Sequence, residues 1–267
     1  MKKMELRGHW TLVTGASSGL GLEMARAVAR DQGGHVLVVA RRRDRLEALC
    51  EELRSRYGVK SEYIVADLSR PEDVERVFTE ATRERRLHGV ILNAGVTYWG
   101  EALKLDWSAF QAMLDTNVTS LVRLSSLLVP HLVETGTRGG VMLVSSVAGL
   151  IPVPYQAAYS GTKAFVLSYG QALAHEVRPS GVSVTVFAPG GISTELLTNS
   201  GLSNRFKAGD MGVMTAEACA VHAIRAFIHR KELYIPGWLN VGLTLAARLL
   251  PRGFLAQRTA IMYRPER

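Results

Sequence analysis

Cysteine is scarce in this chain of 267 residues, which holds only Cys50 and Cys219. Two cysteines in a chain of this length do not make the disulfide framework of a small secreted domain, so a reducing compartment is expected. No uncharged apolar run of about 18 residues or more is present, which argues against a membrane-spanning helix. The first ten residues hold two lysines but no apolar core of a signal peptide, and the sequence therefore predicts a cytoplasmic protein.

Metal-ligand spacings and nucleic-acid-binding signatures are missing from the sequence as well. The formal net charge of +8 would by itself fit a nucleic-acid partner. The arginines, however, fall into separate groups at 41–45, 83–86 and 248–267, without a zinc-ligand spacing or an RNA-recognition signature. We therefore expect neither a metal ion nor a nucleic acid in the function of this chain.

The composition, 47% hydrophobic and 21% charged, is that of an ordinary globular protein. Short apolar runs with strand character alternate with helical stretches, without repeats or linkers. The predicted strands are residues 9–14, 35–40, 62–66, 89–93, 141–144, 182–188 and 233–235, and a long helical segment is predicted at 105–132. This alternation predicts a single α/β domain, a doubly wound parallel sheet with helices on both faces.

A glycine-rich turn joins the first predicted strand to a helix. Gly15, Gly19 and Gly21 form a TGxxxGxG pattern in this turn. Glycine lets the backbone come close to a pyrophosphate, and the helix N-terminus offers free N–H groups and a positive dipole. The turn therefore predicts a dinucleotide site, to which we assign Ser17 and Ser18 as well; a turn without a ligand is the alternative.

Arginines follow the second predicted strand, where the choice between NAD and NADP is commonly made. An NAD-specific site usually has an acidic side chain here for the ribose 2′-hydroxyl. This chain has Ala40 followed by Arg41, Arg42 and Arg43. A guanidinium fork suits a 2′-phosphate, whereas basic residues at a helix start oppose the helix dipole. The sequence therefore predicts NADP(H) in preference to NAD(H).

The stretch 141–163 carries the candidate catalytic residues. Tyr159 and Lys163 stand four residues apart on a predicted helix, and so share one face. A neighbouring ammonium favours the phenolate, and we expect it to lower the tyrosine pKa from about 10 towards the working pH. Ser146 lies in a loop that can bring its hydroxyl beside the phenol. Taken alone, the Tyr–Lys pair equally fits a solvated helix surface.

The motifs of this chain together follow the order and spacing of one family. They are Thr14-Gly15-(x3)-Gly19-x-Gly21, Asn93-Ala94-Gly95, Asn117, Ser146, Tyr159-(x3)-Lys163 and Pro189-Gly190-x-Ile192-x-Thr194. Over residues 8–235 they resemble the short-chain dehydrogenase/reductase family. The resemblance implies a Rossmann-type fold with a seven-stranded parallel sheet, and hydride transfer between NAD(P) and a carbonyl or alcohol.

The resemblance also implies roles for individual residues. Tyr159 would exchange the proton with the substrate oxygen, and Lys163 would hold the nicotinamide ribose and depress the tyrosine pKa. Ser146 would orient the carbonyl, and Asn117 would fix a water in a proton relay, although by sequence alone a helix-packing role is equally open. The implied cofactor contacts are Gly15, Ser17, Ser18, Gly19, Gly21, Arg41, Arg42, Asp67, Asn93, Ala94, Gly95, Tyr159, Lys163, Pro189, Gly190, Ile192 and Thr194. A homodimer or homotetramer built on the helices around Asn117 and Tyr159 is implied as well.

Two segments late in the chain bear on the substrate. Residues 191–214 are apolar and punctuated by glycine, which predicts an irregular lid over the site. Residues 237–267 form a basic amphipathic tail. Such a tail can make a peripheral contact with an anionic membrane surface, cover the mouth of the site or pack in a dimer. Packing is the more ordinary interpretation.

These expectations combine into one functional prediction. The sequence predicts an NADP(H)-dependent oxidoreductase that transfers a hydride between nicotinamide and the carbonyl or secondary alcohol of a hydrophobic substrate. Candidate pocket residues are Tyr98, Trp99, Leu150, Ile151, Val153 and Tyr155. The alternatives are a catalytically idle NADP(H)-binding sensor or scaffold, which would not need Asn117, Ser146, Tyr159 and Lys163 together, and an epimerase or dehydratase.

Overall fold

The apolar runs of the sequence form parallel strands in the computed structural model, which describes residues 1–202, 210 and 212–265. The strands are β1 (Trp10–Thr14), β2 (His35–Ala40), β3 (Ser61–Val65), β4 (Leu87–Leu92), β5 (Gly140–Val144), β6 (Ser183–Phe187), β7 (Gly191–Ser193), β8 (Val213–Thr215) and β9 (Leu233–Tyr234). Seven of them make one parallel sheet in the order β3-β2-β1-β4-β5-β6-β9, and β7 pairs with β8 separately. The predicted single-domain Rossmann-type fold with a seven-stranded parallel sheet is confirmed.

Helices connect the strands and cover both faces of the sheet. They are α1 (Gly19–Gln32), α2 (Arg43–Tyr57), α3 (Pro71–Arg83), α4 (Trp107–Leu114), α5 (Ser120–Glu134), α6 (Ala157–Val177), α7 (Glu195–Asn199), α8 (Ala216–Ile228), α9 (Trp238–Leu249) and α10 (Arg252–Tyr263). Within the described ranges, the helices fall short of the length and hydrophobicity that crossing a membrane requires.

Each face of the sheet buries its own core, because successive residues of a strand point to opposite sides. In β1, Val13 packs into the core formed with α1, α2 and α8. Its neighbour Leu12 packs into the core formed with α3, α5 and α6. Strands that are buried on both faces explain the continuous apolar runs in the sequence.

The predicted helical segment 105–132 is helical from 107 to 134, but a π-helical turn that the sequence did not predict lies within it. Asp106 caps α4 by accepting hydrogen bonds from the N–H groups of Ser108 and Ala109 at 2.8 and 3.2 Å. A π-helical turn at Asp115–Thr119 then separates α4 from α5. The wider turn holds Asn117 in a buried position, 1% exposed.

The predicted irregular segment 191–214 is partly ordered, so the prediction of irregular structure is wrong for its described part. The segment contains β7, α7 and β8. Residues 203–209 and 211 lie outside the described residues. The tail forms two helices, α9 and α10, which lie over the carboxyl ends of the strands and line the same cavity.

Candidate active site

The site lies where the strand order reverses, at the carboxyl ends of β1 and β4. Ligands of doubly wound sheets bind at such a switch point. A cavity of about 770 Å³ opens there. Ser146, Tyr159, Lys163 and every residue predicted to contact the cofactor line this cavity, whereas Asn117 does not.

The glycine-rich turn forms a cradle that tolerates no side chains. Gly15 and Gly19 adopt left-handed φ angles of +69° and +55°. A Cβ on Gly21 would lie 2.4 Å from the carbonyl oxygen of Gly15, and a Cβ on Gly15 would lie 2.9 Å from Ala94 Cα. The side chain of Ser18, at the N-cap of α1, makes no capping hydrogen bond to the first turn of that helix. Bare backbone next to a helix N-terminus fits a pyrophosphate group.

Thr14 fastens the ends of β1 and β4 to each other beside this cradle. Its hydroxyl accepts hydrogen bonds from the N–H groups of Asn93 and Ala94 at 3.0 and 3.1 Å. The Asn93 side-chain amide donates to the Thr14 carbonyl at 3.0 Å. Asn93 therefore shapes the wall of the cavity as well as lining it, a bracing role that sequence spacing does not reveal.

Of the three consecutive arginines, Arg42 is the one placed against the cradle. Its Nε and Nη2 donate to Ser17 Oγ at 3.1 and 3.0 Å, and Nη2 also donates to Ser18 Oγ at 2.8 Å. Arg41 is two-thirds exposed and lies 3.8 Å from an oxygen of Asp67. Arg43 turns away from the cavity and donates to Tyr63 at 3.2 Å.

Glu195 of α7 completes the arginine cluster and was not predicted from the sequence. Arg42 Nη1 donates to one oxygen of Glu195 at 2.9 Å, and Arg45 donates to the other oxygen. Hydrogen bonds from Arg45, which has the larger effect, and from Arg42 lower the pKa of Glu195 to about 2. Thr194, the residue before Glu195, packs on Gly19: a Cβ on Gly19 would lie 3.1 Å from Thr194 Cγ2. The lid segment is thus tied to the cradle by charge and by packing.

Tyr159 and Lys163 project from α6 into the cavity as predicted, with Lys163 Nζ 5.7 Å from the centre of the Tyr159 ring. Lys163 is buried and donates a hydrogen bond to the Val144 carbonyl at 3.0 Å. Ser146 is held in extended backbone at the start of a short 3-10 turn, where its hydroxyl accepts from the N–H of Ala148 at 3.1 Å.

The expected depression of the tyrosine pKa is wrong for this structure. Burial raises the pKa of Tyr159 to about 12, although a hydrogen bond with Ser146 acts in the opposite direction. Tyr159 keeps part of its surface open, but that surface faces the cavity. Burial also lowers the pKa of Lys163 to about 8. Removal from water therefore outweighs the attraction between the two groups on which the prediction relied.

Asn117 lies behind Lys163, outside the cavity wall. Its Oδ1 accepts from the N–H of Val96 at 2.8 Å, and its Nδ2 donates to the Val96 carbonyl at 2.9 Å and to Thr162 Oγ1 at 3.0 Å. A Cβ on Gly95 would lie 3.3 Å from Asn117 Oδ1 and 3.4 Å from Lys163 Nζ. Asn117 therefore holds the loop after β4 in place next to Lys163. Its role in a proton relay stays a prediction.

The tail helices form the roof of the cavity, which the sequence left open. The roof residues are Asn240, Leu243, Thr244, Ala246, Ala247, Leu250, Leu255, Thr259, Met262 and Tyr263. Three contacts hold these residues in place. Asn240 packs against Gly190, because a Cβ on Gly190 would lie 2.6 Å from Asn240 Nδ2. Thr259 donates a hydrogen bond to the Pro152 carbonyl at 2.8 Å, and Trp99 Nε1 donates one to the Tyr263 carbonyl at 2.7 Å.

The six residues predicted for the substrate pocket divide between four places. Leu150, Ile151 and Val153 line the cavity itself. Trp99 supports the roof from behind, through its hydrogen bond to Tyr263. Tyr98 packs on Gly100, and Tyr155 lines a smaller neighbouring pocket.

Comparisons with known proteins agree with this arrangement. The family model described as short chain dehydrogenase matches residues 9–204. The dehydrogenase/reductase SDR family member 7B of Xenopus laevis is 33% identical over 96% of this chain and 82% of its own. The structure of a short-chain dehydrogenase from Sphingobium yanoikuyae in complex with NADPH is 30% identical, with a TM-score of 0.82 over 97% of each chain. The bulky-bulky ketone specific alcohol dehydrogenase from Comamonas testosteroni is 25% identical, with a TM-score of 0.78 over 97% of this chain and 95% of its own.

Proposed function

Because the chain belongs to the short-chain dehydrogenase/reductase family, whose members are NAD(P)H-dependent oxidoreductases of alcohols and carbonyls, we propose that it interconverts hydrophobic carbonyl compounds and secondary alcohols with NADP(H) as the preferred cofactor. One observation carries the proposal. A single cavity joins the glycine cradle, Arg42 and the Tyr159–Lys163 pair beneath an apolar roof. Cofactor, proton and substrate groups would meet in that space.

The surroundings of Arg42 support the preference for NADP(H). Its guanidinium already reaches the hydroxyls of Ser17 and Ser18 at the cradle. These three side chains would hold the 2′-phosphate, with Arg41 adding positive charge at the rim. Ala40 stands where NAD-specific sites commonly carry an acidic residue. The Sphingobium yanoikuyae relative was solved with NADPH, which fits the same assignment.

Tyr159 is the proposed proton donor. When bound, the nicotinamide supplies or accepts the hydride. With a pKa of about 12, the Tyr159 phenol keeps its proton at neutral pH and can give it to a carbonyl oxygen that is gaining negative charge. Ser146 shares a hydrogen bond with Tyr159 and would polarise the same oxygen. A phenol that holds its proton near neutral pH fits the reductive direction, in which the reaction is proposed to run.

Lys163 and Asn117 would support this proton transfer. The Lys163 ammonium would bind the nicotinamide ribose and stabilise negative charge near the phenol. Its hydrogen bond to the Val144 carbonyl fixes its position. Asn117, which lies next to Lys163 across Gly95, would continue the proton path towards solvent through a water molecule.

The roof supports a bulky apolar substrate. Leu150, Ile151 and Val153 form one wall, and Leu243 and Leu255 lie in the roof. A cavity lined mainly by aliphatic groups favours an apolar ligand body, with the few polar groups fixing its reactive end. The Comamonas testosteroni relative is specific for bulky-bulky ketones, and a large ketone would suit this cavity as well.

The test is NADPH oxidation by the pure protein with a panel of carbonyl compounds, from small ketones to quinones, steroids and β-ketoacyl thioesters. Tyr159→Phe should retain NADPH binding and lose turnover by about 100-fold or more. Tyr169→Phe is the matched control, since Tyr169 lies on the same helix but bonds Ser125 at 2.8 Å away from the cavity. NADPH binding without turnover of any compound would favour the idle binding protein. Unchanged turnover in Tyr159→Phe would refute the proton assignment.

A further inference from the structure

The two tail helices present an outer face that is largely apolar. It consists of Trp238, Val241, Leu245 and Leu249 of α9 and Phe254 and Ile261 of α10, and we call these six residues the apolar platform. On α9 they recur at intervals of three and four residues, along one side of the helix. Trp238 and Leu249 are 85% and 88% exposed. Large side chains so exposed on one surface mark a place of contact with an apolar partner.

The opposite faces of the same helices line the cavity. Asn240 and Thr244 of α9, and Leu255, Thr259 and Tyr263 of α10, point inward and line the cavity. Asn240 packs against Gly190 and donates to the Gly212 carbonyl at 3.5 Å, and Thr259 donates to the Pro152 carbonyl at 2.8 Å, so both helices are held in this orientation. A rotation that buried the apolar platform in the protein would break these contacts. The apolar platform therefore faces outward.

The charge of the tail is strongly positive. Basic residues dominate it, since residues 237–267 contain five arginines and a single acidic residue, Glu266. Arg258 lies over the ring of Phe254, with its guanidinium carbon 5.2 Å from the ring centre. Basic residues that border an apolar helix face are the combination that binds anionic lipid headgroups and inserts between them.

The mouth of the cavity lies next to the apolar platform. Leu243, Leu250 and Met262 line the cavity and are also 61%, 42% and 54% exposed. A molecule that enters the cavity past these residues would leave an apolar medium on one side and reach Tyr159 on the other. Apolar residues of the cavity wall are therefore also part of the outer surface of the tail.

We propose that the apolar platform docks on the surface of an anionic lipid bilayer, with α9 and α10 lying in the headgroup region. A second copy of the chain is the rival occupant. In a two-fold contact the same patch meets itself, which would bring five arginines of each copy together against one acidic residue per copy, Glu266. Anionic lipid supplies the missing negative charge.

The experiment is co-sedimentation of the full-length protein with vesicles of phosphatidylcholine alone or mixed with phosphatidylglycerol. We expect retention on the mixed vesicles at low salt, and less retention on phosphatidylcholine alone or at high salt. Leu245→Glu with Leu249→Glu should weaken binding by about tenfold or more. Arg252→Gln with Arg258→Gln should weaken it by about fivefold per charge. Val221→Glu is the matched control, since Val221 is 45% exposed on α8, outside the apolar platform.

Three outcomes would overturn the proposal. They are no retention of the wild type on any vesicle, retention that is unchanged in both double variants, and a dimer in equilibrium sedimentation that Leu245→Glu with Leu249→Glu dissociates. The arginine variants keep the test valid if the leucine variant fails to fold, because those substitutions lie on the exposed surface. Vesicle binding needs no catalysis, so its failure leaves the proposed reaction untouched, and loss of activity leaves the docking result untouched.

Discussion

Replacing Arg42 with alanine isolates the group proposed to bind the 2′-phosphate of NADP(H). In the structure Arg42 donates three hydrogen bonds to the hydroxyls of Ser17 and Ser18, at 2.8 to 3.1 Å. These hydroxyls and the guanidinium form one polar corner of the cavity. The substitution removes the charge at this corner and one of the two arginine contacts of Glu195, and it leaves the glycines of the cradle unchanged.

The expected effect is a selective loss of NADPH affinity. A hydrogen bond to a charged group contributes about 1.5 to 3 kcal/mol. Arg42 is 39% exposed, and water screens the interaction, so about 2 kcal/mol is a suitable figure. That corresponds to roughly thirtyfold weaker NADPH binding. NADH lacks the phosphate, so its affinity should change by less than about threefold.

The assay is titration of nicotinamide fluorescence with each cofactor, together with kcat/KM for both. Arg43→Ala is the matched control, because Arg43 is the adjacent arginine and contacts Tyr63 rather than the cradle. Arg41→Ala should have a smaller effect than Arg42→Ala, because Arg41 is largely exposed. Equal losses for NADPH and NADH in Arg42→Ala would refute the assignment, since the arginine would then shape the cradle rather than bind the phosphate.

The remaining predictions concern the cradle, the buried lysine and the roof. Gly21→Ala should abolish cofactor binding, because its Cβ would lie 2.4 Å from a backbone oxygen, whereas Gly161→Ala, with nothing within 4 Å, should bind normally in the same titration. In the reductive direction kcat/KM should be constant near pH 7 and fall above about pH 8, because burial lowers the pKa of Lys163 to about 8 and the ammonium then loses its proton. A kcat/KM that stays constant up to pH 10 would contradict this prediction. Trp99→Phe removes the hydrogen bond to the Tyr263 carbonyl and should raise KM for bulky ketones with little change in NADPH affinity; equal changes in both would argue against a role in the roof.

The sequence predicted the sheet and most of the site because those features depend on local pattern. Continuous apolar runs mark strands that are buried on both faces, and glycine marks places where a Cβ has no room, as at Gly21. The spacing of Tyr159 and Lys163 likewise fixes their common helix face. These signals depend only on residues close together in the chain, so they can be recognised without knowledge of the fold.

The features that the sequence missed depend on contacts between distant segments. The split between α4 and α5 follows from a π-helical turn around Asn117, whose partners Val96 and Thr162 lie far away in the chain. The bridge from Arg42 to Glu195 spans 153 residues. The roof likewise rests on single long-range hydrogen bonds, such as that of Trp99 with Tyr263. No periodic pattern in the sequence predicts such contacts between distant residues.

Burial, rather than the pairing of Tyr159 with Lys163, determines the protonation of the site. The pKa of Tyr159 is raised to about 12 and the pKa of Lys163 is lowered to about 8, so near pH 7 the phenol is neutral and the amine is mostly charged. Asp67 and Glu195 are the acidic side chains among the described residues that line the cavity, and both contact arginines at the cofactor end. The catalytic end therefore carries an excess positive charge in a low-dielectric surrounding, where an oxyanion gains most stabilisation. In the proposed reaction the substrate acquires that charge when hydride reaches the carbonyl carbon, and Tyr159 then neutralises it with its proton. Oxidation would need Tyr159 as a phenolate, which burial disfavours at neutral pH. Near neutral pH Tyr159 therefore begins a reductive turnover with its proton in place, and the phenolate left after proton transfer would be stabilised by the Lys163 ammonium.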